Sequence, residues 1–89
     1  MRFLIIERGV TPPPEEVFEL GAATVDYFKG LVKAGKIEVL YSLIGQPAMV
    51  YIADVDSGRE LDLMLSESPT FHYQTREIIP LAPIPGITG

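Results

Sequence analysis

The chemistry open to this chain rests on few side chains, because its 89 residues include one histidine and no cysteine. Thiol catalysis, disulfides, zinc ribbons and iron–sulfur clusters are excluded together, and His72 alone cannot build a histidine-rich metal site. The sequence holds no Gly-rich phosphate loop, no HExxH and no Cys/His cluster. Carboxylates and phenols remain. Glu77 stands in a stretch, Phe71 to Ile79, that reads as a strand, and it shares parity with Phe71, Tyr73 and Thr75. If that face looks into a cavity, a partly desolvated carboxylate there could act as a base. The plainer reading is an exposed strand carboxylate beside Arg76. Tyr41, Tyr51 and Tyr73 could supply phenolic donors to an enolate or carboxylate, or simply pack with their hydroxyls at the rim. Strand parity groups Tyr41 with Ile37, Val39 and Leu43. His72 is the one side chain of a type that titrates near neutrality. It follows a loop proline at the mouth of the last strand, either on a pocket rim or facing solvent. Glu7 and Arg8 close the first strand, where the pair could orient an anion or be a solvated strand end.

These residues need elements to position them. Phe3-Leu4-Ile5-Ile6 is a continuous apolar run, as in a central strand. Thr11-Pro12-Pro13-Pro14 blocks strand pairing and helix growth until Pro14, which suits a first helical turn followed by Glu15 and Glu16. The apolar spacing from Val17 through Val32 predicts one helix from Pro14 to Ala34, stopped by Gly35. Ile37 to Ile44 and Met49 to Ala53 read as a hairpin across Gly45-Gln46-Pro47. Ser57 with Glu60 resembles a capping box for a short helix through Leu65, with Met49 and Met64 as core fillers. Asp54, Asp56, Glu60 and Asp62 lack the spacing of a calcium loop and fit a helix cap with a solvated acidic face. The order β-α-β-β-α-β predicts an α+β, ferredoxin-like fold: a four-stranded antiparallel sheet with two helices on one face. A single domain over residues 1–81 is expected, followed by a Pro/Gly-rich tail over 82–89.

Composition bears on partners. So short a chain, 47% hydrophobic and without disulfides, has trouble stabilising itself from one core. The open sheet face would be an aggregation liability unless covered. A homodimer, or a higher homo-oligomer, is therefore expected. Seven basic against twelve acidic residues give a net charge of −5, which opposes binding to nucleic acid. No apolar run suits a signal-peptide core or a membrane span, so a cytoplasmic protein with no membrane partner is expected.

A longer pattern runs without gaps over about half the chain. It comprises Gly35, Leu40, an aromatic at Tyr41, Gly45, Tyr51-Ile52-Ala53-Asp54-Val55 and Ser57. It continues through Leu61, Leu65, Pro69-Thr70-Phe71-His72-Tyr73, Glu77 and Leu81. In these residues the chain resembles the muconolactone isomerase family of dimeric α+β barrels. The resemblance implies a cofactor-independent isomerase that shifts a double bond in a small unsaturated lactone or acid by moving a proton between carbons. Such a reaction needs a base and an electrophilic group that steadies an enolate. On this reading Glu77, Tyr41 and His72 form the catalytic set, in a cavity closed between two sheets. Tyr51, Tyr73, Glu7 and Arg8 would bind a small apolar or weakly acidic ligand, with no metal or cofactor. The chain departs from the family where the isomerase carries Trp, Arg and His: here stand Ile37-Glu38-Val39-Leu40-Tyr41-Ser42 and Gln46. That departure leaves two alternatives, a non-catalytic ligand-binding or assembly protein and a relative of antibiotic-biosynthesis-type monooxygenases. In the haem-degrading relatives of the latter a single histidine could make a haem site, but no aromatic/Asn signature near the first helix supports one here. A shared fold does not by itself carry a shared reaction.

Overall fold

A computed structural model describes residues 1–88. The apolar run at the N-terminus forms β1 (Arg2–Gly9), which is central as expected: it pairs antiparallel with β3 (Ala48–Asp54) on one side and β4 (Gln74–Leu81) on the other. With β2 (Ile37–Ser42) outside β3, the order is β2-β3-β1-β4. The helices α1 (Glu15–Glu19), α2 (Gly21–Lys33) and α3 (Gly58–Ser66) complete the α+β plan. Period-2 alternation sorts the sheet. Phe3, Ile5 and Glu7 of β1, with Tyr51 and Ala53 of β3, are buried on the face toward the helices. There they join Phe28 of α2 and Leu61, Met64 and Leu65 of α3 in the core. Leu4, Ile6, Val50 and Ile52 point to the opposite face and are half-buried.

Four details differ from the sequence expectation. The long helix is broken at Leu20, which closes α1 and opens α2. Gly21 is a weak helix former, and the Thr24 hydroxyl donates back to the Leu20 carbonyl at 2.9 Å, a contact that bends helices. β2 ends at Ser42, two residues early. Within β2 a bulge at Val39 (φ 56°) shifts the register between Glu38 and Leu40. The extra residue resets the alternation, so Leu40 lies opposite Tyr51 on the helix side. Tyr41 lies opposite Val50 on the open face, separated from Ile37, with which simple parity groups it. Finally, Phe71–Tyr73 is a 3-10 turn closed by Tyr73 N–H to Thr70 O at 3.0 Å, and the last strand starts only at Gln74. Phe71 and Tyr73 therefore share no strand parity with Glu77.

The helix boundaries follow their local chemistry. Gly35 (φ 75°) ends α2 in a Schellman turn, with Lys36 N–H on Leu31 O at 2.9 Å and Gly35 N–H on Val32 O at 3.1 Å. Ser57 Oγ accepts from Glu60 N–H at 3.1 Å, while the Glu60 carboxylate takes the N–H of Asp56 rather than of Ser57. Beyond β4 the tail turns over at residues 85–88, and its last residue, Gly89, lies outside the described residues. Among the described residues no helix is long and apolar enough to cross a membrane.

Candidate active site

Along β1 the helix-facing positions run Phe3, Ile5, Glu7, so the alternation that buries two apolar residues buries a carboxylate next. Glu7 is 1% exposed. A charge so placed must find partners, and the neighbouring strands supply them. Its cross-strand partner on β4 is Arg76, whose Nε donates to Glu7 Oε1 at 3.2 Å. The Tyr51 hydroxyl, from β3, donates to the same oxygen at 2.6 Å. Glu7 Oε2 is buried with no hydrogen bond among the described residues.

Arg76 is itself fixed from several sides. Its Nη1 donates to the carbonyl of Phe71 at 3.3 Å and, at the long limit, to that of Gln74 at 3.5 Å. Its Nη2 donates to Gln74 Oε1 at 3.3 Å, and the guanidinium lies over the Phe71 ring, 4.4 Å from the centroid. Phe28 packs edge-on against Tyr51 with centroids 5.6 Å apart. Burial, followed by the charge of Glu7 and the hydrogen bond to it, pushes the Tyr51 phenol far above its ordinary value of 10.0, against a smaller opposing pull from Arg76. Tyr51 thus stays protonated and its proton stays committed to Glu7.

A groove of about 530 Å³ opens beside this cluster, between α2 and the helix-facing side of the sheet. Val25, Phe28 and Val32 of α2 line its roof, and Leu40, Met49 and Gln74 from three strands form its floor. Met49 is the cross-strand partner of Glu7, and Gln74 that of Gly9. Glu7 therefore sits in the strand between two floor residues. The charged residues in the lining are both cationic, Lys29 and Lys33. An apolar cleft with few convergent polar groups is the usual form of a small-molecule site.

The residues expected from sequence divide between the two sides of the sheet. Glu7 and Tyr51 meet in the buried cluster. Glu77 projects from the opposite face with its side chain 57% exposed, in an ion pair with Arg8 Nη1 at 3.5 Å. Tyr41, 67% exposed, is on that face too. His72 lies exposed on the 3-10 turn with its ring edge against Phe71, and Tyr73 ends the same turn. None of the residues expected from sequence lines the groove itself: Glu7 and Tyr51 are buried in the sheet next to its floor residues, and Glu77, Tyr41, His72, Tyr73 and Arg8 lie outside both the groove and the cluster. Sequence reasoning missed Arg76 and Gln74. A signal for Arg76 exists: Glu7-Arg8 and Arg76-Glu77 are charge-complementary when laid antiparallel, and Glu7 does face Arg76 across the strands.

Comparisons with known proteins agree with this architecture. The family model described as Muconolactone delta-isomerase matches residues 1–86. The chain is 36% identical over 69 residues to Muconolactone Delta-isomerase 1 of Acinetobacter lwoffii, a match covering 78% of this chain and 72% of that protein. It is 34% identical over 73 residues to the Muconolactone Delta-isomerase of Cupriavidus pinatubonensis, covering 82% and 79% respectively. Among solved structures, the crystal structure of muconolactone isomerase at 3.3 Å resolution superposes with a TM-score of 0.84 at 25% identity, over 97% of this chain and 93% of that one. A 5-chloro-2-hydroxyhydroquinone dehydrochlorinase from Burkholderia phenoliruptrix, in complex with 2,5-dihydroxybenzoquinone, shares the fold with a TM-score of 0.78 at 17% identity, over 94% and 96%. The fold is that of the dimeric α+β barrels, and the chain belongs to the muconolactone delta-isomerase family.

Proposed function

We propose that the chain is a cofactor-independent isomerase that shifts a double bond in a small unsaturated lactone acid, with Glu7 as the base. The observation that carries this is Glu7 Oε2, a buried carboxylate oxygen without a partner among the described residues, on the strand that runs between the groove-floor residues Met49 and Gln74. Ser68 Oγ and Thr70 Oγ1 are buried without partners too, but Glu7 Oε2 is the one that belongs to an acid–base group next to the groove floor, where a substrate atom can supply the missing partner. In the reaction Oε2 removes a proton from a carbon made acidic by the conjugated carbonyl. The electron pair moves into the extended enolate, and the protonated Glu7 returns the proton to a different carbon, leaving the double bond displaced. Arg76 and Tyr51 hold Oε1 and fix the direction of Oε2. Lys29 and Lys33 favour an anionic substrate in an otherwise acidic chain.

The same reading takes the working form to be a homodimer. Leu4, Ile6, Val50 and Ile52 with Tyr41 and Ile79 make an apolar open sheet face suited to a second copy. Under it Glu77, Tyr41 and Arg8 belong to that face rather than to the proton-transfer site.

The test is turnover of muconolactone in deuterated water, followed by proton NMR. Glu7→Gln keeps an acceptor for Tyr51 and Arg76 but cannot take the proton, and is expected to lower kcat by about 10²- to 10⁴-fold. Unchanged turnover in Glu7→Gln removes Glu7 as the base. Full loss in Glu77→Gln with Glu7→Gln active moves the chemistry to the other face.

A further inference from the structure

An enolate needs a hydrogen-bond donor as well as a base, and the tyrosine in the cluster is unavailable. The Tyr51 proton is spent on Glu7 Oε1. Arg76 lies behind the lining, its guanidinium turned to Glu7, the Phe71 carbonyl and the Phe71 ring. The residue between Arg76 and the groove is Gln74.

The orientation of the Gln74 amide is decided by chemistry. A guanidinium only donates, so the amide must present its oxygen to Arg76 Nη2, as it does at 3.3 Å. With Oε1 held there, the two hydrogens of Nε2 are left over, and they have no partner among the described residues. Gln74 is also the one neutral hydrogen-bonding side chain that the sheet contributes to the groove floor, whose other residues are Leu40 and Met49. Thr24, across the groove on α2, already spends its hydroxyl on the Leu20 carbonyl. Lys29 and Lys33, across the groove on α2, are long cationic side chains suited to a substrate carboxylate, whereas the Gln74 amide, held on the sheet by Arg76, is the prealigned donor on the Glu7 side for an oxygen on which negative charge develops. Water would solvate such an oxygen only by reorganising, whereas this donor is fixed in advance.

We propose that Gln74 is the catalytic donor that stabilises the enolate oxygen, held in register by Arg76, and that it thereby selects substrates whose acidic C–H is conjugated to a carbonyl. Glu7 and Gln74 then divide the work: the carboxylate moves the proton, and the amide holds the charge left behind. The assignment of an enolate rests on the reading of Glu7 as the base, but the donor can be tested without turnover.

4-Nitrophenol is the probe, because its phenolate resembles an enolate oxygen and absorbs in the visible. Titrated against the full chain across its ionisation, the wild type is expected to bind the phenolate in preference to the phenol. Gln74→Glu keeps and strengthens the acceptor for Arg76, so the fold is held, but it has no donor to offer. Gln74→Leu removes the donor without adding charge. Both are expected to weaken phenolate binding by about 10- to 100-fold, the range for one hydrogen bond to a charged group. In Gln74→Leu the affinity for the neutral phenol should change little. With muconolactone, Gln74→Leu should lower kcat by about 10²- to 10³-fold while KM moves little. Phenolate affinity in Gln74→Leu equal to that of the wild type overturns the proposal, as does a wild type that binds no phenolate. Glu7→Gln separates the two readings: it should keep or strengthen phenolate binding while losing turnover. Loss of phenolate binding in Gln74→Leu together with full turnover in Glu7→Gln would retain the donor site and reject the base.

Discussion

The Tyr51 hydroxyl donates to Glu7 Oε1 across 2.6 Å in the interior between sheet and helices. The bond is charge-assisted and shielded from water, and it leaves a carboxylate with one oxygen fully committed and the other free. Tyr51→Phe keeps the ring against Phe28 and deletes only the donor. It should cost about 1.5–3 kcal/mol in urea unfolding, the range for a hydrogen bond to a charged group. A loss below about 0.5 kcal/mol would mean that Glu7 is solvated despite its burial.

Alkaline pH should expose the same relationship. Burial holds the phenols of Tyr51 and Tyr27 above their ordinary value of 10.0, so above pH 10 the unfolded chain releases protons that the folded chain keeps. The folded state then binds more protons than the unfolded one, and stability falls as pH rises, by up to about 1.4 kcal/mol per pH unit for the buried Tyr51 and by less for the more exposed Tyr27, where solvent screens the effect. Tyr51→Phe should flatten this alkaline limb. An unfolding midpoint with the same slope in mutant and wild type from pH 10 to 11.5 would contradict it.

Glu7 and Arg76 should behave as a coupled pair rather than as two independent residues. Arg76→Met leaves the carboxylate buried with only Tyr51 for a partner, and should cost about 3–5 kcal/mol. Adding Glu7→Met removes the orphaned charge and should restore part of that loss, because two apolar side chains of similar size can replace a buried pair with little penalty. Strict additivity in the double-mutant cycle, measured by urea denaturation, would show that the two groups do not stabilise each other.

Much of this was legible from sequence for reasons of pattern. The unbroken apolar run at Phe3–Ile6 marks a central strand. Pro14, Gly35 and the Ser57–Glu60 pair mark helix ends through backbone chemistry that acts locally. The bulge was hidden because Val39 is β-branched, the residue type least expected at positive φ, and a single inserted residue reverses the face of Tyr41. The 3-10 turn at Phe71–Tyr73 was hidden because its three ring-bearing residues also suit a strand. The site was half legible. Glu7 follows Phe3 and Ile5 at period 2, which places it inside, but its partners come from strands distant in sequence. Arg76 becomes meaningful only once the β1–β4 register is known. The expectation of a cavity between two sheets also drew attention to Glu77, whereas the buried polar cluster lies on the helix side.

Val39 offers a direct test of stored strain. Its φ of 56° places a β-branched residue in the left-handed region, where the Cβ crowds the backbone, and its side chain is largely exposed. Val39→Asn, a residue that tolerates this region, should raise stability by about 1 kcal/mol. If Val39→Asn destabilises the protein instead, the exposed valine is making a contact in the working assembly, and the effect should then depend on protein concentration.

Glu60 sets the acid limb. Its carboxylate accepts from Lys36 Nζ at 2.6 Å and from the Asp56 N–H at 2.9 Å, and these bonds, the lysine's first, hold it below its ordinary value of 4.5. A carboxyl group lowered in the folded state contributes stability that is present above the unfolded value and lost as pH falls through the folded one. Stability should therefore decline below about pH 4.5 as Glu60 gains a proton and releases Lys36, which joins the turn after α2 to the first turn of α3. Glu60→Gln keeps the acceptor for Asp56 but has no charge to lose. Its stability should vary less than that of the wild type between pH 5 and 3, and high salt should narrow the difference because both side chains are partly exposed. An identical acid limb in Glu60→Gln and wild type would show that the Glu60–Lys36 pair does not set it.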